Sequence, residues 1–278
     1  MNLNLFMIKF SYWKIGLLLG IIMLSVIFAY FMSKRSESFA NKQYKYGILM
    51  CCYNRPEILK KTLESLKKTN KKDLNQSIIY IIDDHSSNNE TSKLIEDYVT
   101  DIKSIGGVDN LEVKINRNRT NMGIAKSLEK GFTFLYPKCE YLTNIDSDVL
   151  VKPDWLPKLQ EVYDRSNRER NDGNGVLVSG FNCTPPNCDH KILSSNDLYH
   201  VKKSIGGINT FFHRDMFDNY VNVIKNVKKG AHWDWRLCDH CKKQNIPIIV
   251  SNPSVIQHIG FTGLNSFGKE KYDYAEDF

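Results

Sequence analysis

The sequence predicts an α/β protein in which a Rossmann-type, mostly parallel sheet is flanked by helices and preceded by a single N-terminal transmembrane helix. Two observations predict the sheet: apolar runs of strand length alternate with helical stretches over residues 46–145, and polar residues follow the runs. This alternation is typical of βαβ units, whose parallel strands are buried on both faces. A third observation, an uncharged apolar run near the N-terminus, predicts the membrane helix.

Composition excludes several classes of protein. The chain has 278 residues, of which 42% are hydrophobic and 25% are charged. These values are typical of a globular protein and exclude a wholly disordered chain, a collagen-like repeat and a small disulfide scaffold. The formal net charge of +7 is spread along the chain without an Arg-rich block. We therefore expect no nucleic-acid partner, whereas an anionic small molecule is compatible with this charge.

Residues 15–32 are the predicted membrane anchor, because this run is uncharged and lies between Lys14 and the pair Lys34 and Arg35. As a helix it would be about 27 Å long, close to the roughly 30 Å hydrocarbon core of a bilayer. A cleavable signal peptide usually has a shorter apolar core and a small-residue cleavage site, so the sequence favours a retained anchor. Basic residues are nearly balanced on its two sides, which leaves the side of the membrane open.

The anchor divides the chain into five predicted regions. They are an N-terminal tail (1–14), the anchor (15–32), a polar stalk (33–45), the α/β domain (46–264) and a loosely packed C-terminal tail (265–278).

Apolar periodicity and helix-start residues predict the elements of the α/β domain. The four strands of the first half are predicted at 46–53, 78–82, 111–115 and 141–145. Helices are predicted at 57–68, 89–102 and 122–135, the last capped by Asn121, and another is expected to start at Pro153. The second half is less regular, with strands predicted at 175–181, 208–213, 247–250 and 254–259 and helices at 215–227 and 232–244.

The seven cysteines leave the redox compartment open, because their number is odd. Cys183 and Cys188 flank a short Thr-Pro-Pro-Asn loop and are close enough in sequence to close a small disulfide. Cys238 and Cys241 have the spacing of a redox or zinc site, but a full zinc site needs two further ligands. Both alternatives stay open at this point.

Polar clusters follow three of the predicted strands. Tyr53-Asn54-Arg55 follows the first, Asp83-Asp84 the second and Asp146-Ser147-Asp148 the fourth. Residues of these types are common in turns and helix caps, so a single cluster would mean little. In an open parallel sheet, however, ligands bind outside the carboxyl ends of the strands. Three clusters at three such ends therefore predict one shared site.

Asp146 and Asp148 are the predicted metal ligands. Two carboxylates at a strand end can hold Mg²⁺ or Mn²⁺ while leaving positions open for phosphate oxygens. A cation held there would neutralise a diphosphate leaving group. The chain has no P-loop pattern, and no G-x-G-x-x-G follows the first strand. Without such a glycine cradle, we expect the cation to stabilise the diphosphate.

Four segments together resemble the nucleotide-sugar half of GT-A fold glycosyltransferases: YGILMCCYNRP, IIYIIDDHSS, NRTNMGIAKSLEKGF and YLTNIDSDVLVKPDW. The resemblance covers about residues 46–262 and is closest to the large inverting family that includes many polysaccharide and glycoprotein synthases. It implies a GT-A-like fold, a nucleoside-diphosphate sugar donor that is most often UDP-linked, and Mn²⁺ or Mg²⁺ as cofactor. The implied activity is that of a hexosyl- or N-acetylhexosaminyltransferase.

The resemblance also implies roles for residues at the strand ends. Tyr53 would stack on the base and Asp84 would accept a hydrogen bond from it, with Arg55 and Lys126 also near the nucleotide. Asp146 would contact the ribose and the metal ion. Asp148 would be the main metal ligand.

In the second half, the resemblance implies residues for the sugars and for catalysis. Gly206 and Gly207 would let the backbone approach the donor sugar closely. Asp234 would be the general base, although many relatives have Glu-Asp where this chain has Trp-Asp. Its neighbours Trp233 and Trp235 would stack on sugar rings and raise the pKa of the carboxyl by partial desolvation. His258 would be the third metal ligand.

The expected function is a metal-dependent transfer of a sugar, with inversion, to a hydroxyl of a glycan, protein or lipid acceptor at a membrane. One alternative is a nucleotidyltransferase of similar core, which would typically have a Gly-rich basic stretch after the first strand, unlike this chain. Another is a non-catalytic sugar-binding protein on the same fold. Such a protein would not require Asp148, Asp234 and His258.

Overall fold

The computed structural model describes residues 43–170, 173–261 and 273–278, together with the isolated positions Gly20, Met23 and Ser25. The predicted anchor at 15–32 and the predicted stalk therefore lie almost entirely outside the described residues. Within the described part of the chain, no helix is both long and apolar enough to cross a membrane. The anchor stays a prediction. Tyr44–Phe278 forms one unit, and that unit contains the sheet.

Eleven strands occur among the described residues. They are β1 (Tyr44–Cys52), β2 (Ser77–Asp83), β3 (Glu112–Arg117), β4 (Cys139–Asp146), β5 (Val149–Val151), β6 (Leu177–Ser179), β7 (Ile192–Ser195), β8 (Tyr199–Lys202), β9 (Asn209–His213), β10 (Ile248–Ser251) and β11 (Ile256–His258). The described helices of this unit are α1 (Pro56–Leu66), α2 (Lys71–Leu74), α3 (Asn89–Lys103), α4 (Ile124–Leu135), α5 (Trp155–Arg170), α6 (Phe217–Ile224) and α7 (Trp233–Lys243). Short 3₁₀ turns at Tyr136–Lys138 and Arg214–Met216 follow α4 and precede α6.

Nine strands form one sheet in the order β3-β2-β1-β4-β9-β6-β10-β8-β7, and β11 pairs with β5 separately. The strands β3, β2, β1 and β4 are parallel, as the sequence predicts. Beyond β4 the sheet is mixed, because β9 is antiparallel to β4 and to β6, and β8 is antiparallel to β10 and to β7. The α/β prediction is thus confirmed, and the parallel part is the first half of the chain.

The order of the strands reverses between β1 and β4. The chain runs from β1 outward to β2 and β3, and then returns to place β4 on the other side of β1. Cys51 of β1 is paired with Asp146 of β4, so the carboxyl ends of the two strands lie side by side. A crevice at such a reversal is the usual ligand site of an open α/β sheet.

Helices cover both faces of the parallel strands because β1 is apolar on both. Ile48 and Met50 share a buried cluster with α1, where Leu59 and Leu63 are also buried. Leu49 belongs to the opposite cluster, which includes residues of α4. Side chains alternate between the faces of a strand, so a continuous apolar run is what a doubly covered strand requires.

The structure differs from the sequence-based expectations in two places. Helix α4 starts at Ile124 after Gly123, whose φ is 84°, and Asn121 is not its cap. The C-terminal residues 273–278 do not pack loosely, because Ala275 is 1% exposed and belongs to the main hydrophobic cluster. The elements α2, β5, β7 and β8 are additions that the apolar pattern did not predict.

Candidate active site

The structure brings the three strand-end clusters together at one rim of the sheet. The backbone N–H of Asp84 donates to the carbonyl of Cys52 over 2.8 Å, which joins the ends of β2 and β1. Arg55 Nη1 lies 2.9 Å from Asp148 Oδ2, which joins the turn after β1 to the turn after β4. The convergence that the sequence predicted from separate segments is therefore present.

A left-handed turn aims Arg55 at this rim. Asn54 and Arg55 have φ values of 55° and 58°, a conformation that is uncommon for residues other than glycine. The loop after β2 holds the turn, because Asn54 N–H donates to Ser86 Oγ at 2.8 Å and Asn54 Oδ1 accepts from Ser87 N–H at 2.9 Å. Pro56 then begins α1, since its fixed φ suits the first helical position.

Asp148 lies between the side chains of Arg55 and His258. Its Oδ2 is 2.9 Å from Arg55 Nη1 and 3.5 Å from His258 Nε2, and its side chain is 12% exposed. Burial acts to raise the pKa of Asp148, but the hydrogen bond and charge of His258 and the charge of Arg55 outweigh it, so the pKa is lowered. Arg55 Nη2 is buried and has no hydrogen-bond partner among the described residues. Asp148 is thus held ionised.

His258 ends β11, whose pairing with β5 brings it to the turn after β4, with His258 opposite Val149. Its Nδ1 lies 3.2 Å from the carbonyl oxygen of Asp273, and its Nε2 faces Asp148. Burial acts to lower the pKa of His258, whereas the hydrogen bond to Asp148 and that residue's charge raise it, and the net direction is upward.

Gly260 is a site residue that the sequence-based reasoning missed. A Cβ at this position would lie 2.1 Å from Asp148 Oδ2 and 2.6 Å from His258 Nε2, well inside van der Waals contact. A larger residue at this position would therefore displace Asp148 or His258, the two predicted metal ligands. The signal in the sequence was the Gln-His-Ile-Gly segment, in which the glycine closely follows the predicted ligand His258.

Asp146 is the second carboxylate of the predicted metal site. Burial raises the pKa of Asp146, and the negative charges of Asp148 and Asp234 raise it further. Over the described ranges, Asp146, Asp148 and His258 do not form a set whose ligand atoms all lie within 4.8 Å of one another. Asp148 and His258 are the pair already in contact. A carboxylate oxygen and an imidazole nitrogen are ligand types that suit a divalent cation such as Mn²⁺.

Asp84 binds the backbone N–H groups that directly precede α4. Its carboxylate accepts hydrogen bonds from Asn118 Nδ2 at 2.8 Å, Met122 N–H at 2.9 Å and Gly123 N–H at 2.8 Å. A carboxylate has about four lone-pair sites, so about one remains for a ligand. Asn118, at the end of β3, is another residue that the sequence-based reasoning missed.

The remaining nucleotide residues are placed unequally. Tyr53 follows β1 with 45% of its surface exposed, which leaves its ring open to a ligand. Lys126 Nζ donates to Glu129 at 2.7 Å and to the carbonyl of Lys225 at 2.8 Å. Within the described residues, these hydrogen bonds join Lys126 to the end of α6 and not to the acidic cluster.

Asp234 is the second residue of α7 and lies beside the Ser204–Gly207 loop. Its Oδ2 accepts from Gly207 N–H over 3.2 Å. Burial raises the pKa of Asp234, and its hydrogen bonds with backbone N–H groups oppose that shift only in part. A carboxylate with a raised pKa is better matched to accepting a proton from a hydroxyl near neutral pH.

The structure corrects the prediction that Trp233 stacks on a sugar. Trp233 is 5% exposed, and its indole lies under Gly207, where a Cβ would be 2.6 Å from Trp233 Cζ2. It faces the core because α7 packs this side against the sheet. Gly207 is therefore needed for the packing of Trp233, whereas Gly206 is more open. Trp235 is 42% exposed beside His190, and its predicted sugar contact stays a prediction.

The cysteines have structural places. Cys183 and Cys188 form a disulfide, which confirms the first alternative left open by the sequence. Cys238 and Cys241 are free, buried thiols on the core face of α7. A cavity of about 410 Å³ lies near the amino end of β4, where Tyr141 and His213 line it. This cavity is at the opposite rim from the acidic cluster and is not the candidate site.

Comparisons with known proteins give a family. The model of "Glycosyl transferase family 2" matches residues 47–232. A hyaluronan synthase of Streptococcus pyogenes is 29% identical over 131 residues, which are 46% of this chain and 29% of the synthase. An uncharacterized protein of Methanocaldococcus jannaschii is 34% identical over 91 residues, or 32% of this chain and 36% of that protein. The chain thus matches about a third of the length of these relatives.

Solved structures show the same fold. GalNAc-T7 with UDP, GalNAc and Mn²⁺ aligns with a TM-score of 0.57 and 14% identity, over 81% of this chain and 44% of that one. Staphylococcus aureus TarS 1–349 in complex with UDP-GlcNAc aligns with a TM-score of 0.55 and 14% identity, over 76% and 57%. The fold is thus GT-A-like, and the match to the family model includes the strand-end clusters. The chain belongs to glycosyl transferase family 2.

Proposed function

We propose that this protein transfers a sugar from a nucleoside-diphosphate donor to an acceptor hydroxyl, with inversion at the anomeric carbon and with a divalent cation as cofactor. The observation that carries the proposal is the contact of Asp148 with His258 at the strand reversal, within a rim that also holds Asp84 and Asp146. The two similar structures hold UDP with GalNAc, or UDP-GlcNAc, which supports a UDP-linked hexosyl or N-acetylhexosaminyl donor.

Asp234 acts as the general base in this proposal. Its carboxylate takes the proton of the acceptor hydroxyl, and the hydroxyl oxygen forms a bond to the anomeric carbon. The bond from that carbon to the diphosphate oxygen breaks on the opposite face, so the electron pair leaves with the diphosphate and the configuration inverts. The raised pKa of Asp234 favours this proton transfer.

Asp148 and His258 would hold the cation, which is Mn²⁺ or Mg²⁺, and the imidazole favours Mn²⁺. When bound, the cation neutralises charge on the diphosphate. His258 and Arg55 lower the pKa of Asp148, which favours the ionised form that a metal ligand requires. Tyr53 presents its ring to the base, and Asp84 has about one acceptor site left for it.

The acceptor side of the proposal rests on Trp235 and the predicted anchor. Trp235 is exposed one residue after Asp234, where an aromatic face suits a sugar ring. We further propose that residues 15–32 anchor the chain at a membrane, with a glycan, protein or lipid as acceptor. Labelling of the intact chain in vesicles and carbonate extraction would test the anchor separately.

The decisive experiment is a panel of nucleoside-diphosphate sugars, scored by release of the nucleoside diphosphate with and without Mn²⁺. We expect the nucleoside diphosphate to be released from at least one UDP-sugar, and we expect this release to depend on Mn²⁺. Asp148→Ala should abolish the Mn²⁺-dependent release. Unchanged turnover in Asp148→Ala would contradict the metal mechanism. Pyrophosphate release from a sugar phosphate and a nucleoside triphosphate would instead indicate a nucleotidyltransferase.

A further inference from the structure

The C-terminal residues 273–278, which we call the C-terminal clasp, reach back to the candidate active site. Asp273 N–H donates to the carbonyl of Asn187 at 3.1 Å, within the loop closed by the Cys183–Cys188 disulfide. Ala275 is buried in the main hydrophobic cluster. The clasp is therefore a packed part of the domain.

Gln257 fixes the clasp to β11. Its buried amide pairs with both backbone groups of Ala275, because Nε2 donates to the Ala275 carbonyl at 2.7 Å and Oε1 accepts from Ala275 N–H at 3.0 Å. The two hydrogen bonds resemble those between paired residues of neighbouring β-strands, but here a side-chain amide replaces one backbone. Gln257 directly precedes His258, so the attachment point of the clasp is next to the predicted metal ligand.

A second anchor lies further along the clasp, at Asp277. Its carboxylate accepts from Asn182 Nδ2 at 3.2 Å and from the hydroxyl of the buried Ser254. The buried Lys202 donates in turn to Asn182 Oδ1 at 3.0 Å. Asp277 thus joins the clasp to two separate segments of the domain, and Lys202 supports one of them through Asn182. These are polar contacts with satisfied partners, the kind of network that specifies one geometry.

The consequence of both anchors is the position of the Asp273 carbonyl. It lies 3.2 Å from His258 Nδ1, so an Nδ1–H that donates to it leaves Nε2 to face Asp148. Partners behind a ligating histidine fix its tautomer and its ring orientation, and their loss typically weakens metal affinity about 10–100-fold. A chain without the clasp would keep His258 but would lose this support.

We propose that the C-terminal clasp positions His258 for metal binding, with Gln257 and Asp277 as positioning residues that act through the Asp273 carbonyl. The inference rests on the proposed metal site and adds to it a requirement for the end of the chain. None of the positioning residues needs to touch the donor or the acceptor.

The test measures Mn²⁺ binding to the full chain by electron paramagnetic resonance, without any sugar donor. The variants are Gln257→Leu and Asp277→Ala. The matched control is Glu276→Gln, because Glu276 is exposed and glutamine keeps the oxygen that accepts from Asn187 Nδ2. We expect the first two to weaken Mn²⁺ affinity about 10-fold or more. We also expect them to lose the ¹⁴N coupling that His258 gives to bound Mn²⁺, while Glu276→Gln keeps both properties. Melting curves of the metal-free variants separate positioning from unfolding.

Three further outcomes decide between the inference and the proposed function. If His258→Ala weakens Mn²⁺ binding but Gln257→Leu and Asp277→Ala bind like the wild type with full ¹⁴N coupling, the clasp inference is wrong and the metal site stands. If Asp148→Ala and the wild type bind Mn²⁺ equally, the metal site and the clasp inference both fail. If Gln257→Leu does not fold, Asp277→Ala decides alone.

Discussion

At the scale of single residues, the carboxyl groups of the candidate site have pKa values shifted in opposite directions. Asp148 has a lowered pKa because His258 and Arg55 surround it, whereas burial raises the pKa of Asp146 and Asp234. Neighbouring carboxyls whose environments shift their pKa values apart are suited to different tasks. Here the contrast separates Asp148, the proposed metal ligand, from Asp234, the proposed base.

Asp234→Asn tests the base directly. The amide cannot take the acceptor proton, so we expect kcat for transfer to fall about 10²–10⁴-fold, the usual contribution of a general base. Donor affinity should stay near that of the wild type, measured by titration with a UDP-sugar. Asp239→Asn, on the exposed side of the same helix, is the control and should leave kcat unchanged. Transfer that survives Asp234→Asn would place the base elsewhere.

The same variant should be more stable than the wild type at neutral pH. A carboxyl whose pKa is raised by folding binds its proton more tightly in the folded state, so its ionisation destabilises the fold as pH rises above the ordinary value of 3.8. We therefore expect Asp234→Asn to have the higher melting temperature at pH 7. The difference should shrink as the pH falls toward 3.8. A lower melting temperature at pH 7 would contradict the raised pKa.

Gly260→Ala tests the close packing of the backbone against Asp148 and His258. The added Cβ would lie 2.1 Å from Asp148 Oδ2, so either the carboxylate or the backbone must move. We expect Mn²⁺ affinity to fall at least 10-fold, measured by calorimetric titration, since a disturbed ligand environment typically has such effects. Gly106→Ala is the control, because a Cβ there meets nothing within 4 Å. Equal Mn²⁺ affinity in Gly260→Ala and wild type would show that the ligand pair tolerates the methyl group.

Residue types at strand ends predicted which carboxylates converge, but their partners could not be predicted in the same way. Gly260 and the Asp273 carbonyl matter because the fold places them beside Asp148 and His258. Every residue has a backbone carbonyl, so the sequence does not show which one contacts a side chain. Trp233 is the opposite case, because the sequence suggested a role in the site that the structure does not support. Its place on the amphipathic helix α7 turns it toward the core, although its neighbourhood to Asp234 in sequence suggested a ligand contact.

At the scale of elements, the apolar pattern was sufficient for β1, β2, β3 and β4 but not for β5, β7 and β8. Strands that are buried on both faces stand out as apolar runs. The side chains of β7 are all exposed, and β5 has only three residues, so neither produces such a run. The start of α4 was misplaced for another reason: Asp84, distant in sequence, accepts hydrogen bonds from the N–H groups that a local cap would otherwise satisfy.

Gly131 shows how closely α4 packs on the sheet. A Cβ at this position would lie 2.3 Å from Leu49 Cδ1 in the middle of β1. Alanine favours a helix over glycine by about 1 kcal/mol, but overpacking of a core typically costs about 1–3 kcal/mol. We therefore expect Gly131→Ala to lower the free energy of unfolding in urea. Thr133→Ala, on the exposed side of α4, is the control, and a stabilised Gly131→Ala would show that the helix can move outward at little cost.

At the scale of the whole molecule, the fold and the activity have different grounds. The sheet order places the end of β1 against the end of β4, and this geometry is shared by proteins at 14% identity. The chemistry depends on a few side chains at that rim, because one fold can host many activities. The sequence predicted the rim, since its clusters follow strands, whereas the donor sugar and acceptor depend on loop contacts that no local pattern encodes.

Metal binding should be visible as stability of the entire domain. A ligand that binds only the folded state stabilises it by about 2.7 kcal/mol at a concentration 100 times its dissociation constant. We therefore expect Mn²⁺ to raise the melting temperature of the wild type, in a dose-dependent way and without any sugar donor. Asp148→Asn should abolish the increase, because it removes the charge that lies between Arg55 and His258.

The control for this prediction is Asp154→Asn, a change of equal charge in the turn before α5. If Mn²⁺ binds at Asp148, Asp154→Asn should keep the full increase in melting temperature. Nonspecific screening of acidic groups by Mn²⁺ would instead affect both variants alike. Ca²⁺ at the same concentration should stabilise less, since an imidazole suits Mn²⁺ better than a cation that prefers oxygen ligands. An equal shift in both variants would mean that Mn²⁺ acts through general surface charge, and the rim of β1 and β4 would then need no metal to be stable.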